Sequence, residues 1–226
     1  MYDLDQSLIN VNGNQVPTLD ILLMMTIVSL LPSLLIMVTS FARTTIILSF
    51  LRNAMGVQQT PPNMVLIGIA IFLTLFIMDP VIKQINTEAY TPYKNQEITQ
   101  AEAIDRAQVP LKEFMLRNTE KSSLKMFLDL SGREDVQVEE QAQLLELPMT
   151  VIIPSFMTSE LKKGFTAGFL LYLPFLLIDI VVSSTLMSMG MMMLPPAMIS
   201  MPFKLLLFVT VDGWELLFST IANSFH

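Results

Sequence analysis

The distribution of charge constrains the fold of this chain more than any single motif, because two long stretches carry almost none. Of the 13 Lys/Arg and 20 Asp/Glu residues, 10 basic and 13 acidic ones lie between Lys83 and Lys163. Charged residues make up only 15% of the chain, against about 25% in a soluble domain. The order apolar, polar, apolar therefore indicates a membrane protein, or a subunit that partners bury on most sides.

The first apolar region begins after a polar N-terminal segment, residues 1–18. Leu19–Val38 is long enough as a helix to span the roughly 30 Å of a bilayer core, and Pro32 is expected to kink it. A second apolar run, Met64–Met78, follows after a Gly- and Pro-containing turn. The two runs predict a hydrophobic helical hairpin over residues 19–82.

Residues 83–152 form a polar insert that the sequence predicts to be a small soluble helical domain. Thr99 and Glu102 have the spacing of a capping box, which predicts the start of a helix. Pro110 suits the first turn of another helix. Apolar residues at helical spacing predict a third helix over Glu120–Ser131.

A second hydrophobic hairpin is predicted for residues 153–226. The β-branched run Thr150–Pro154 suggests a brief extended entry, and a long helical segment is expected over Ser155–Leu194. Pro195-Pro196 marks the turn, after which an apolar segment continues to Phe225. The predicted fold class is therefore all-α, with two hydrophobic hairpins flanking the soluble insert.

Charged side chains within apolar segments are costly unless they are paired or face water. Along an ideal hairpin Asp179 and Lys204 would lie about 12 Å apart. That separation favours pairing between subunits over a pair within the chain, and a purely structural ion pair is the alternative. Asp212 is a third candidate for an inter-subunit or buried charge. Arg43 and Arg52 are expected to be flanking charges rather than buried ones.

Methionine occupies five of the seven positions from Met187 to Met193 in the sequence LMSMGMMMLPP, residues 186–196. Ordinary core packing at a hairpin turn is one interpretation. Copper binding is a second, because thioethers at Met189 and Met191 suit Cu(I), although the stretch lacks Cys and His. A third is a deformable apolar constriction in a pore. The residues alone leave these three open.

The sequence gives little support for an enzyme. The chain has no cysteine and one histidine, His226, and it contains neither a phosphate-binding loop nor a dinucleotide fingerprint. We therefore expect no catalytic residues, no cofactor and no metal. The net charge of −7 provides no basic footprint for nucleic acid. The start of the sequence has no basic region typical of a signal peptide.

Two long segments resemble the signatures of a known family. SFARTTIILSFLRNAMGVQQTPPNMVLIGIAIFLTLFIMDP (residues 40–80) and the segment from PSFMTSELKKGF to VDGWELL (residues 154–217) resemble the FliP family of flagellar type III export gate subunits. The virulence counterparts, the SctR proteins, are close relatives. FLTLFIMDPVIKQINTEAYTPY is more similar to the flagellar branch.

The resemblance implies a core pore-forming subunit that passes unfolded flagellar proteins across the bacterial inner membrane. Five copies would assemble with FliQ and FliR, and through them with FlhB and the rest of the export apparatus, into a helical channel. This channel would stand in the flagellar basal body, largely on the periplasmic side, with the insert as a periplasmic domain. The resemblance also implies a methionine gasket around the export path, formed by Met189, Met191, Met192 and Met193.

Two alternatives to this function are an equivalent subunit of a virulence type III secretion system and a multi-span channel for small molecules or metals.

Overall fold

The computed structural model of the chain describes residues 8–11, 14–57, 60–133, 141–191 and 193–225. It divides into two compact units, Met1–Met37 and Val38–His226. The all-α prediction is confirmed, because helices make up almost all of the described regular structure. Two short strands near the start of the chain are the exception.

The first unit contains an antiparallel β-hairpin followed by a helix. Strand β1 (Leu8–Val11) pairs with β2 (Asn14–Pro17), with Val11 opposite Asn14. The sequence between them is Asn-Gly, a strong signal for a two-residue hairpin. Helix α1 (Thr18–Val38) bends by 43° between residues 21–30 and 32–38, as expected from its internal proline.

The second unit contains nine α-helices and one π-helical turn within its described residues. They are α2 (Phe41–Ala54), α3 (Asn63–Ile85), a π-helical turn (Asn86–Tyr90), α4 (Thr91–Lys94), α5 (Gln100–Asn118), α6 (Lys121–Leu130), α7 (Gln141–Leu145), α8 (Met149–Ser188), α9 (Pro196–Thr210) and α10 (Gly213–Asn223).

Helix α8 organises the second unit, because α2, α5, α6 and α9 all pack against it. Its closest neighbour is α2, which approaches at two glycines of α8. A Cβ atom built on Gly168 would lie 2.5 Å from Cγ of Phe50, and one on Gly164 would lie 3.3 Å from Ile46. Small residues therefore bring the two helices together, and the largest fully buried side chains of the core include Leu48, Leu51, Met115, Leu128, Ile152, Phe156 and Ile221.

Among the residues that the structure describes, two helical stretches are long and apolar enough to cross a membrane, judged by length and composition. They are residues 63–94, which run through α3 and the π-helical turn into α4, and α8 with its 40 residues. Two bent pairs, the halves of α1 and the pair α9 and α10, would raise the number of spans to four if each pair formed one span.

Helix α5 begins as the sequence predicts. The backbone N–H of Glu102 donates to Thr99 Oγ1 (3.3 Å), and the Thr99 N–H donates to Glu102 Oε2 (2.8 Å). The pKa of the Glu102 carboxyl is lowered by the hydrogen bond from the Thr99 backbone N–H and by a second one from the Thr99 hydroxyl, which donates to Oε2 at 3.0 Å. The helix predicted over Glu120–Ser131 is also confirmed as α6, and Gly132 follows it with a positive φ of 69°.

Two predictions of local structure were wrong. Pro110 does not start a new helix but lies inside α5, where it is buried beside Phe114 and Met115 on the same face. The run Thr150–Pro154 is not extended but forms the first turns of α8, with Val151 and Ile152 buried. In both cases the burial of apolar side chains outweighs the cost of a proline within a helix, which is about 3 kcal/mol.

The last apolar segment is divided into two helices. Val211 and Asp212 separate α9 from α10, and the two axes differ by 64°. Asp212 takes a left-handed conformation, with φ 49°. A Cβ atom on the next residue, Gly213, would lie 2.3 Å from the ring of Phe208, so the bend requires glycine at this position.

Candidate functional site

The methionine-rich stretch forms the tip between α8 and α9. Helix α8 ends at Ser188, and Gly190 follows with φ 75°. The N–H of Gly190 donates to the Met187 carbonyl, and the N–H of Met191 donates to the Leu186 carbonyl, each at 3.0 Å. This is a Schellman motif, in which a left-handed glycine closes the helix end. The helix therefore stops six residues earlier than Leu194, where the sequence predicted its end.

Three methionine side chains at this tip are exposed. Met189, Met191 and Met193 are 64%, 43% and 98% exposed. Met192, the fourth predicted gasket residue, lies outside the described residues. Pro196 occupies the first position of α9, where a proline costs no hydrogen bond. The tip therefore presents flexible apolar side chains that this chain does not cover.

An ion pair joins α8 to α9 below this tip. Lys204 Nζ lies 2.6 Å from Asp179 Oδ2 and also donates to the Ala54 carbonyl at 3.0 Å. Ser200 Oγ donates to Asp179 Oδ1 at 2.6 Å. The Lys204 side chain is 4% exposed and that of Asp179 is 28% exposed. The pair thus ties three helices together while one carboxylate face stays accessible.

The expectation that Asp179 and Lys204 would not pair within the chain was wrong. It assumed that α8 continued to the prolines, which would place the two residues at different heights. Because α8 ends at Ser188 and α9 begins at Pro196, Asp179 is nine residues from its helix end and Lys204 is eight from its helix start. At 1.5 Å per residue the two side chains are level.

A second ion pair, between Arg43 and Glu160, was missed from the sequence. Arg43 is 2% exposed and Glu160 is 0% exposed. Arg43 Nε donates to Glu160 Oε2 at 2.9 Å, and a second guanidinium nitrogen contacts Oε1. The expectation that Arg43 is a flanking charge was therefore wrong. A signal was present, because Arg43 lies four and eight residues before the buried Ile47 and Leu51 on one helix face.

Arg43 also holds the C-terminal end of the described chain. Its Nη1 donates to the Ser224 carbonyl (3.0 Å) and to Ser224 Oγ (2.9 Å). Its guanidinium carbon lies 3.7 Å from the centre of the Phe225 ring, an attractive cation–π geometry. Arg52, the other predicted flanking charge, is half-buried and contacts the Asn63 side-chain oxygen.

Asp212 is separate from both ion pairs. It lies at the break between α9 and α10, is exposed and does not cap α10 through its side chain. Among the described residues, no group of three His, Cys, Asp or Glu side chains is placed to hold a metal ion.

Known proteins share much of this sequence. The family model described as "FliP family" matches residues 24–221. The chain is 48% identical over 217 residues to the "Flagellar biosynthetic protein FliP" of Pectobacterium carotovorum subsp. carotovorum, covering 95% of this chain and 82% of that protein. It is 47% identical to the protein of the same name in Bacillus subtilis (strain 168), covering 92% of each. Identity to that of Aquifex aeolicus (strain VF5) is also 47%, covering 95% and 88%.

Proposed function

The chain belongs to the FliP family, and from this premise we propose that it is a core, pore-forming subunit of the flagellar type III export gate. Its substrates are unfolded flagellar proteins, which it passes across the bacterial inner membrane. It acts as a structural channel subunit, and the energy for export comes from its partners and the membrane potential.

The observation that carries this proposal is the exposed methionine tip. A seal around a moving polypeptide must be apolar, to exclude water and ions, and deformable, to fit different side chains. Exposed methionines at the end of a hairpin braced by the Asp179–Lys204 pair meet both needs. We assign Met189, Met191, Met192 and Met193 to this gasket.

The exposed methionine tip also requires that several copies of the chain assemble. One hairpin tip cannot enclose a path, so several copies must bring their tips to a common axis, and we propose five. FliQ and FliR complete the channel and connect it to FlhB in the basal body, with the assembled complex largely on the periplasmic side of the inner membrane. We propose that residues 83–152 form a periplasmic helical insert. In chain order, the N-terminal segment 1–18 is followed by the first hydrophobic hairpin at 19–82, then this insert, then the second hairpin at 153–226.

The charged residues of the last hairpin contribute to contacts between copies. Asp179 is satisfied within the chain by Lys204 and Ser200, but its partly exposed carboxylate retains acceptor sites for a neighbouring donor. Asp212 presents a carboxylate at the exposed helix break. We therefore assign Asp179 and Asp212 to the surfaces between subunits, and Lys204 to the buried charge that holds Asp179 in place.

A leak assay tests the gasket. The triple change Met191→Ala, Met192→Ala and Met193→Ala shortens three side chains at the tip, so the closed channel should pass small ions. The assay measures ion flux into vesicles, or growth inhibition by a normally excluded solute, in cells that express the assembled gate.

A matched control replaces three exposed methionines elsewhere, Met24, Met25 and Met64, by alanine. This control loses the same side-chain volume and should not leak. Equal flux in the triple variant and the unchanged protein would contradict the gasket.

Purification separates the gate from the alternative of a small, self-sufficient channel. The exposed apolar side chains of α3 and α8 need covering by neighbours in an assembly. We expect the chain to purify in a ring-like complex with several copies. A stable monomer that conducts small solutes in detergent or vesicles would favour the alternative.

A further inference from the structure

A cavity of about 860 Å³ lies between α2, α8, α9 and α10. Its volume is in the range of small-molecule sites, about 300–1,000 Å³. The tip and the Asp179–Lys204 pair are not part of its lining, so the proposed function does not account for it. Most of its lining is apolar, including Leu171, Phe175, Leu207, Phe208 and Leu217.

The charged groups of the lining gather at one end. Arg43 contacts Ser224, Lys162 Nζ lies 2.5 Å from Glu120 Oε2, and Lys163 Nζ donates to the Asn118 carbonyl at 2.7 Å. With Glu160 beside Arg43, three cations face two carboxylates, which leaves one net positive charge. The two lysine ammonium groups each use one of three donors in these contacts, so both retain donors for a ligand.

The opposite end of the cavity is apolar, and its lining includes the aromatic side chains of Phe175 and Phe208. From Lys163 to Phe175 the cavity follows twelve residues of α8, about 18 Å at the helical rise. Half of a bilayer's hydrocarbon core is about 15 Å thick, which is the depth that one acyl chain reaches. The length of the cavity therefore matches an acyl chain whose headgroup lies at the lysines.

We propose that this cavity binds an acyl chain of an anionic phospholipid, with the phosphate at Lys162 and Lys163. The net positive end and the apolar body complement a ligand with a singly charged head and a hydrocarbon tail. Basic pockets between apolar helices are known to bind anionic headgroups. An apolar helix from a second copy would instead place hydrocarbon against the charged end.

The only tryptophan of the chain provides a native reporter for this cavity. The Trp214 ring lies 5.3 Å from that of Phe208, edge to face, and Phe208 lines the cavity. Phosphatidylglycerol with brominated acyl chains should therefore quench Trp214 fluorescence when its chain enters. Phosphatidylcholine with the same brominated chains is the matched probe without net charge.

The experiment titrates each probe into the purified full chain in mild detergent. We expect saturable quenching by phosphatidylglycerol, with half-saturation at least about tenfold lower than for phosphatidylcholine. Lys163→Gln and Lys162→Gln should each raise half-saturation about fivefold, from the loss of one lysine near a lipid phosphate. Lys125→Gln removes an exposed charge on α6 and should have no effect. Having both lysine variants guards against misfolding of either one.

One more variant tests the apolar part of the cavity, where the acyl chain would lie. Ala167→Phe fills it without removing a charge and should abolish saturable quenching by both probes, with unchanged far-UV circular dichroism. Equal, non-saturating curves for the two lipids would overturn the proposal. A brominated free fatty acid that binds as tightly as phosphatidylglycerol would overturn the phospholipid assignment. Quenching that disappears as the chains associate would assign the cavity to a second copy.

Discussion

Two of the ion pairs that α8 makes, Arg43–Glu160 and Asp179–Lys204, differ in how completely the protein surrounds them. Arg43 and Glu160 are buried, and Arg43 also binds Ser224 and Phe225. Asp179 and Lys204 lie nearer the methionine tip, where the Asp179 side chain is 28% exposed. The buried pair joins the start of α2 to the C-terminal end of the described chain. The pair near the tip holds a hairpin together while keeping an open carboxylate face.

The two ion pairs have similar chemistry but different roles along α8. Removing one partner of a buried pair leaves a charge without water or a counterion. At the Asp179–Lys204 pair only the carboxylate is partly exposed, and the buried Lys204 ammonium keeps the Ala54 carbonyl as a second acceptor if Asp179 is removed. The buried pair should therefore determine stability, and the exposed pair should affect the tip and its neighbours.

The largest effect is expected for Glu160→Leu, which leaves the Arg43 guanidinium buried without its carboxylate. The free energy of unfolding should fall by about 3–5 kcal/mol, measured by denaturant titration in detergent. The double variant Arg43→Met and Glu160→Leu should recover most of the loss, because no charge is then buried unpaired. A double variant as unstable as the single one would contradict the role of the unpaired charge.

The next largest effect is expected for Gly168→Ala, between the two pairs on α8. The added Cβ would meet the Phe50 ring at 2.5 Å, and overpacking of this kind costs about 1–3 kcal/mol. Thermal unfolding of the variant measures the loss. Gly68→Ala is the control, since a Cβ there has no neighbour within 4 Å and should be neutral or slightly stabilising. Equal melting temperatures for both variants would contradict close packing of α2 on α8.

A smaller effect is expected for Asp179→Asn at the pair near the tip. The amide oxygen can still accept from Lys204 or Ser200, and Lys204 keeps its hydrogen bond to the Ala54 carbonyl, so we expect a loss of about 1–2 kcal/mol. Export of flagellar proteins, measured by secretion into the medium, should fall by more than the loss of folded protein explains. A stability loss as large as that of Glu160→Leu would remove the distinction between the two pairs.

The smallest effect is expected far from both pairs, at the start of α5. The pKa of Glu102 is lowered by hydrogen bonds from Thr99. The stability that these hydrogen bonds add to the folded state is therefore fully present above the ordinary glutamate pKa of about 4.3, and it is lost as pH falls through the lowered pKa. Thr99→Ala removes the cap. The stability difference between variant and unchanged protein should be constant above about pH 5 and shrink below about pH 4. A difference that grows in acid would reverse the sign and contradict the assignment.

The sequence was sufficient for features that depend on local patterns. The apolar runs predicted the helical class, Thr99 and Glu102 predicted the start of α5, and the two long signatures pointed to the FliP family, which the comparisons confirm. Each of these signals is contained in a continuous segment. The residues within each segment are therefore enough to predict its structure.

The failures share the opposite property, because each depended on residues far apart in the chain. Arg43 and Glu160 are 117 positions apart, so the burial of Arg43 required knowledge of how α2 meets α8. The pairing of Asp179 with Lys204 depended on where α8 ends, and the closure at Gly190 ends it at Ser188, six residues before Leu194. The predictions for Pro110 and for the run Thr150–Pro154 failed because tertiary burial overrode local preference.

The bend between α9 and α10 has a consequence for how the protein is made. Helix α9 has 15 residues and α10 has 11, so they are about 22 and 16 Å long and neither alone crosses a hydrocarbon core of about 30 Å. During synthesis these residues emerge as one apolar stretch, and its hydropathy does not reveal the 64° break at Asp212 and Gly213. A span made of this pair would therefore carry a bend inside the apolar layer that amino-acid hydropathy conceals.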